Sequence, residues 1–244
     1  MQERIVIIPT FNEIENIEKV LRNVFAQDVR FDALVVDDNS PDGTAQKVIA
    51  LQKKYPKRLH LLQRENKNGL GRAYLAGFKW ALKREYNYIF EMDADYSHNP
   101  NDLVRLYNMC HKKGADMSIG SRYIGGVNVI NWPMNRVLMS WLASKYVRLF
   151  TQMPIFDTTA GFVCYRRKVL ETINLDKIKF VGYAFQIEMK YKAYRLGFNV
   201  KEIPIIFTDR TKGKSKMDKR IIWEAVFGVI SLRLKSLFFK NKFN

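Results

Sequence analysis

The sequence predicts a doubly wound α/β domain with a mixed, mostly parallel sheet flanked by helices. Three observations carry that expectation. Short apolar runs alternate with stretches of helical periodicity over the first 120 residues, the pattern of a parallel sheet wound with helices. The runs are continuous and rich in Val and Ile, as strands buried on both faces are. Three of them end in polar clusters: Pro9-Thr10-Phe11-Asn12-Glu13, Asp37-Asp38 and Asp93-Ala94-Asp95. In such sheets ligands sit outside the C-terminal strand ends, so clusters that recur there mark one edge as the site.

The elements follow in order. Residues 4–9 read as a buried strand that Pro9 stops. Residues 13–26 carry Ile14, Ile17, Val20, Leu21, Val24 and Phe25 at helical spacing. Residues 31–36 form the next strand, closed by the turn Asp37-Asp38-Asn39-Ser40-Pro41-Asp42-Gly43, with Asp42 expected to cap the helix of 44–55. A strand at 59–63, a helix at 70–85 and a strand at 88–92 follow. A helix at 101–113 and a strand at 115–120 complete the alternation. Beyond it come a helix at 134–152, strand-like pieces at 161–165 and 200–204, and a helix at 184–196. No repeat, low-complexity tract or linker divides the chain.

The 244 residues carry 41 Lys+Arg against 24 Asp+Glu, a formal charge of +17. Such an excess calls for an anionic partner: nucleic acid, anionic lipid or a phosphorylated substrate. Ten of the basic residues and only two acids fall in 210–244, interleaved with an apolar run from Ile221 to Phe239. Two readings of that stretch stay open: a helix docked on the core, and a helix lying in a membrane interface. The longest uncharged stretch, 123–135, is 13 residues and contains Gly125, Gly126 and Pro133. A spanning helix needs about 20 apolar residues, so no span is expected. Met1-Gln2-Glu3-Arg4 runs straight into a strand, so no leader is expected. Cys110 and Cys164 stand far apart, which excludes a disulfide framework.

Two carboxylates two residues apart at a strand end face the same way and repel unless a cation lies between them. Hard oxygen ligands favour Mg²⁺ or Mn²⁺, and Mg²⁺ takes one or two protein carboxylates beside substrate phosphates. Asp93 and Asp95 are therefore candidate metal ligands. Asp37-Asp38 are placed to accept hydrogen bonds from a ribose or base. Neither G-x-G-x-x-G nor a P-loop is present, which disfavours dehydrogenases and P-loop enzymes.

Taken together the motifs carry a resemblance. Those above are joined by Gly69-Leu70-Gly71, Met92-Asp93-Ala94-Asp95-Tyr96-Ser97-His98, Gly120-Ser121-Arg122-Tyr123 and Asp157-Thr158-Thr159-Ala160-Gly161-Phe162. Gln186-Ile187-Glu188-Met189 and Asp209-Arg210 followed by Gly213-Lys214-Ser215-Lys216 complete the set. In this order, over nearly the whole chain, they resemble the inverting GT-A glycosyltransferases of the dolichol-phosphate mannose synthase type, the polyprenyl-phosphate mannosyltransferases. One departure is Phe11, where the family usually has Tyr; a hydroxyl contact is lost and the ring is kept.

The resemblance implies transfer of mannose from GDP-mannose to a polyprenyl phosphate. It implies nucleotide-sugar contacts at Pro9, Phe11, Glu13, Val36, Asp38, Asp93, Ala94 and Asp95, and donor-phosphate contacts at Arg210 and Lys216. Asp93 and Asp95 would hold Mg²⁺ or Mn²⁺ on the diphosphate. Asp93, Asp95 and Arg122 would carry the catalysis, and Arg122, Arg136 and Ser140 would receive the acceptor phosphate. It implies a GT-A catalytic domain over 1–210, with an interfacial amphipathic helix near 133–152. A basic loop and C-terminal amphipathic helix would cover 211–244. A cytoplasmic enzyme on an anionic membrane face is expected, with a small membrane-protein partner as an option and no nucleic acid. His98 is expected to be structural. The alternatives are a relative using UDP-glucose or another nucleotide sugar and, from another class, a basic nucleic-acid-binding protein.

Overall fold

The computed structural model describes residues 3–209, 227–234 and 236. The first half runs β1 (Arg4–Thr10), α1 (Ile17–Phe25), β2 (Asp32–Asp37), α2 (Thr44–Gln52), β3 (Leu59–Gln63), α3 (Leu70–Leu82), β4 (Tyr88–Glu91), α4 (Asp102–His111) and β5 (Met117–Ser121). The second runs β6 (Val129–Ile130), α5 (Met134–Thr151), β7 (Val163–Arg166), α6 (Arg167–Thr172), a 3₁₀ turn (Leu175–Lys177), α7 (Tyr183–Arg195), β8 (Val200–Pro204) and β9 (Phe207–Thr208).

Seven strands form one sheet in the order β3-β2-β1-β4-β7-β5-β8. All pairings are parallel except those of β7, which runs antiparallel to β4 and β5. The sheet is thus mixed and mostly parallel, as expected. Ile5 to Ile8 of β1 are wholly buried between β2 and β4, which is why that strand reads as an unbroken apolar run. Strand order reverses between β1 and β4, and the crevice at such a switch point is where ligands bind. β6 and β9 pair separately as a two-strand ribbon.

Several boundaries differ from the expected ones for physical reasons. The first helix starts at Ile17, not residue 13. The N–H groups of Asn12, Glu13 and Ile14 are taken instead by Ser40 Oγ, Thr44 Oγ1 and Asp42 Oδ2. β4 ends at Glu91, so Asp93 and Asp95 lie in a bend and the alternation of a strand does not align them. Asp42 precedes the cap position, which Gly43 holds with φ 89°, and accepts the Thr44 N–H from there. β6, β9 and α6 were not expected.

α3 crosses β1 closely. A Cβ built on Gly77 lies 2.5 Å from Ile7 Cγ2. Gly77→Ala should therefore destabilise the fold by roughly 1–3 kcal/mol through overpacking. A lowered urea midpoint with an unchanged slope is the expected result; an unchanged midpoint contradicts it.

The described C-terminal residues 227–234 are helical and dock on the core. Val229, Leu232 and Ser236 are buried, and Ser236 Oγ shares a 2.5 Å hydrogen bond with the Tyr191 hydroxyl. Phe227 and Leu234 face outward. The expected basic loop lies outside the described residues. No helix among the described residues is long and apolar enough to cross a membrane.

Candidate active site

The C-terminal ends of β1, β2, β4 and β5 open on one edge, and the segment 157–161 enters β7 from the same edge. Asp37 organises the first part. It accepts hydrogen bonds from Thr10 Oγ1 at 2.8 Å and from the N–H and Oγ of Ser40 at 2.9 and 2.6 Å. Asn12 and Asn39 take left-handed backbone conformations that asparagine tolerates, with φ of 61° and 56°. The turn after β1 is thereby stitched to the turn after β2.

Asp38, beside Asp37, is paired with Arg64 at 2.8 Å. Burial raises its pKa, against the lowering pull of Arg64. Half-buried Phe11 lies under the Lys67 ammonium, 4.0 Å from the ring centroid. Glu13 accepts from Asn16 Nδ2 at 2.8 Å. Pro9 is half-buried at the end of β1. Val36 is fully buried in the core, so only its backbone can meet a ligand. Ala94 is also buried.

The two acids of the Asp93-Ala94-Asp95 bend are each held by neighbours. Asp93 Oδ1 accepts from the Tyr74 hydroxyl at 3.1 Å. Asp95 Oδ1 accepts from the N–H and Oγ of Ser97 at 3.1 and 2.6 Å. His98 Nδ1 accepts the Asp93 N–H at 3.2 Å, and its ring stacks on Phe162. Burial pushes the His98 pKa down to about 4, although Asp95 pulls it up. The imidazole is neutral and serves the turn. Among the described residues no group of three or more His, Cys, Asp or Glu gathers around a metal position. The chain thus presents two hard carboxylates with fixed supports. This set fits a divalent ion whose other ligands are phosphate and water.

Arg122 follows β5 and is nearly buried. Its Nε and Nη2 grip the two oxygens of Asp157 at 2.7 and 2.6 Å, and its own N–H adds a third bond at 2.9 Å. Nη2 also donates to Thr159 Oγ1. Asp157 is wholly buried, which raises its pKa; the Arg122 charge and hydrogen bonds outweigh that and hold it below the ordinary value. Glu202 fixes the segment from the other side by accepting the N–H groups of Phe156 and Asp157.

Arg136 and Ser140 stand one turn apart on α5. Arg136 Nη1 donates to Asp209 Oδ1 at 2.8 Å, and its guanidinium lies 4.1 Å from the Trp132 ring centroid. Arg122 lies 5.4 Å from the same centroid, so the two arginines share one aromatic wall. Arg210 and Lys216 lie outside the described residues.

Asp157, Thr159, Tyr74, Arg64 and Asp209 carry supporting roles that the sequence did not assign. A further network lies beneath the edge. Gln186 Nε2 donates to Glu91, and its Oε1 accepts from Lys190 Nζ, which also donates to the Ala160 carbonyl at 2.6 Å. Burial pushes Glu91 up and Lys190 down, and their opposite charges resist both shifts.

α5 has an unusual outer face. Ser144, Val147 and Thr151 point inward, while Met134, Leu138, Met139, Leu142 and Leu149 are exposed, Met134 by 78% and Leu149 by 76%.

Residues 5–173 match the profile described as glycosyl transferase family 2. The chain is 46% identical over 228 residues to polyprenol monophosphomannose synthase of Mycolicibacterium smegmatis, covering 93% of this chain and 86% of that one. It is 44% identical over 223 residues to undecaprenyl-phosphate mannosyltransferase of Micrococcus luteus, covering 91% and 90%. In three dimensions it resembles glucosyl-3-phosphoglycerate synthase of Mycobacterium tuberculosis, solved with Mn²⁺, UDP-glucose and phosphoglyceric acid. That likeness has a TM-score of 0.68 at 16% identity, covers 95% of this chain and 79% of that one, and shows a shared GT-A fold.

Proposed function

The chain belongs to glycosyl transferase family 2, and on that premise we propose that it moves mannose from GDP-mannose to the phosphate of a polyprenyl lipid, with inversion. One observation carries the reading beyond the family. The paired-acid bend and the Arg122–Arg136 cluster open on the same sheet edge, and Arg136 sits on the helix whose outer face is apolar. The arrangement suits a nucleotide donor, an anionic acceptor and a lipid tail. The names of the two relatives point the same way.

The residues divide the work. Pro9, Phe11, Glu13, Asp38 and the Val36 backbone receive the nucleoside. Asp93 and Asp95, with Ala94 between them, are the residues to hold Mg²⁺ or Mn²⁺ against the diphosphate. Such an ion, when bound, stabilises the charge that grows on the departing GDP. Arg210 and Lys216 are assigned to the donor phosphates, and Arg122, Arg136 and Ser140 to the acceptor phosphate. A phosphomonoester has its second pKa near ~6, so the nucleophilic oxygen is already ionised at neutral pH and a strong general base is not required. Neutral His98, turned toward the Asp93 N–H, fits a role in positioning. Attack by the acceptor oxygen opposite the leaving GDP turns an α-linked donor into a β-linked product.

Residues 1–210 make up the catalytic domain in this reading, and 211–244 a basic extension. The enzyme works on the cytoplasmic face of a membrane, with the exposed leucines of α5 entering the interface and basic residues meeting anionic headgroups. Leu138→Gln, Leu142→Gln and Leu149→Gln together should abolish co-sedimentation with phosphatidylglycerol vesicles. Each exposed leucine contributes up to about tenfold. Transfer to a short, soluble isoprenyl phosphate should persist. Vesicle binding equal to wild type contradicts the role of α5. For the donor, incubation with polyprenyl phosphate and either GDP-mannose or UDP-glucose should yield product only from GDP-mannose; preference for UDP-glucose overturns that assignment.

A further inference from the structure

Within the Arg122–Arg136 cluster, two donors have no acceptor among the described residues. The Tyr123 hydroxyl and the Trp132 Nε1–H are both buried and make no hydrogen bond. Tyr123 is only 6% exposed. A buried donor left unpaired is destabilising, because it has given up its bond to water and gained none in return. Two such donors in one cluster point to an acceptor that arrives from outside.

The surroundings define its chemistry. Trp132 lies beneath both guanidinium groups, with Arg136 at 4.1 Å and Arg122 at 5.4 Å from the ring centroid. Arg122 is also 5.4 Å from the Tyr123 centroid. Ser121 Oγ accepts the N–H groups of Tyr123 and Ile124, which fixes the turn that delivers the tyrosine. Burial raises the Tyr123 pKa, with Arg122 and the nearby Ser140 hydroxyl pulling it back in part, yet the geometry between the two hydroxyls closes no hydrogen bond. An indole N–H only donates, so it rejects cations and accepts anions. A carboxylate oxygen already sits on Arg136, that of Asp209 at 2.8 Å. Two guanidinium groups, two hydroxyls and an indole gathered in one cluster match an anion with several oxygens, and a phosphate offers three strong acceptors.

We propose that the Tyr123 hydroxyl and the Trp132 Nε1–H donate hydrogen bonds to the phosphate of the acceptor. This rests on the proposed function and adds two residues to its acceptor site. They do no acid–base work; they hold the phosphate while its reacting oxygen faces the donor sugar.

Tyr123→Phe and Trp132→Phe each keep an aromatic ring and delete one donor. Each should raise the KM for polyprenyl phosphate roughly tenfold or more, the scale of a hydrogen bond to a charged group, and leave the KM for GDP-mannose unchanged. An unchanged acceptor KM in both variants overturns the proposal. An equal rise in both KM values also overturns it, because that reports general distortion. Calorimetric binding of a short isoprenyl monophosphate without donor gives a second reading. Binding by wild type with roughly tenfold weaker binding by both variants supports the assignment, and equal binding or no binding at all overturns it. If wild type binds the isoprenyl phosphate but transfers nothing from GDP-mannose, the proposed function fails while these two donors stand.

Discussion

Asp95→Ala should abolish transfer, by about a thousandfold or more, while the unfolding midpoint stays close to that of wild type. The chemical loss is large because the carboxylate is assigned to the ion that stabilises the departing diphosphate, and charge stabilisation of this kind dominates catalysis. The structural loss is small because Asp95 is half-buried and the hydrogen bonds it accepts from the N–H and Oγ of Ser97 lie within the adjacent turn. Asp95→Asn refines the test. It retains an oxygen for Ser97 and removes the charge, so it should be nearly as inactive as alanine. Activity of Asp95→Asn within tenfold of wild type shows that the charge is not needed and removes Asp95 from the metal site.

Breaking the Arg122–Asp157 pair should damage both stability and turnover. Asp157→Ala removes the wholly buried carboxylate that grips the nearly buried Arg122 guanidinium, which costs about 3–5 kcal/mol. It also frees Arg122 from the three bonds that aim it. Transfer should fall at least about a hundredfold, a typical effect of losing one oxyanion donor. The pair carries a pH signature. The folded pKa of Asp157 is depressed, so as pH falls the unfolded chain takes up this proton first. The stabilisation is present at neutral pH and drains away below the ordinary aspartate value of ~3.9. Asp157→Asn should flatten that acid limb of stability against pH. An acid limb as steep as wild type contradicts the assignment.

Much of this was legible in the sequence, for a physical reason. Strands buried on both faces must be apolar throughout, so β1, β2 and β4 announced themselves. The polar clusters after them fell on one edge because a parallel sheet puts its strand ends together. Short-range patterns could not show the rest. β6 and β9 have two residues each and exist only through pairing with each other. The start of α1 moved because the segment ahead of it is held elsewhere: the N–H groups of Asn12, Glu13 and Ile14 are claimed by side chains of the β2–α2 turn and the first residue of α2. Asp93 and Asp95 were expected on a strand and lie in a bend, held by Tyr74 and Ser97 rather than by pleat geometry.

Long-range partners were equally hidden. Asp157 lay in a motif already noted, but its role is set by Arg122, which is 35 residues away. Glu91 gave a usable signal: a carboxylate inside Ile89-Phe90-Glu91-Met92 needs a buried partner. Its hydrogen bond from Gln186, 95 residues on, answers that need. Arg136 stood among the expected acceptor-phosphate residues, but its partner Asp209, 73 residues on, carried no signal of that pairing.

The most direct measurement is the anomeric linkage of the product. Incubation with GDP-α-mannose, Mg²⁺ or Mn²⁺ and a polyprenyl phosphate, followed by NMR of the purified mannolipid, reports the reaction and its stereochemistry together. The expected product is β-linked polyprenyl-phosphate mannose, formed in equal amount with GDP. An α-linked product, or release of GDP with no mannolipid, would contradict it.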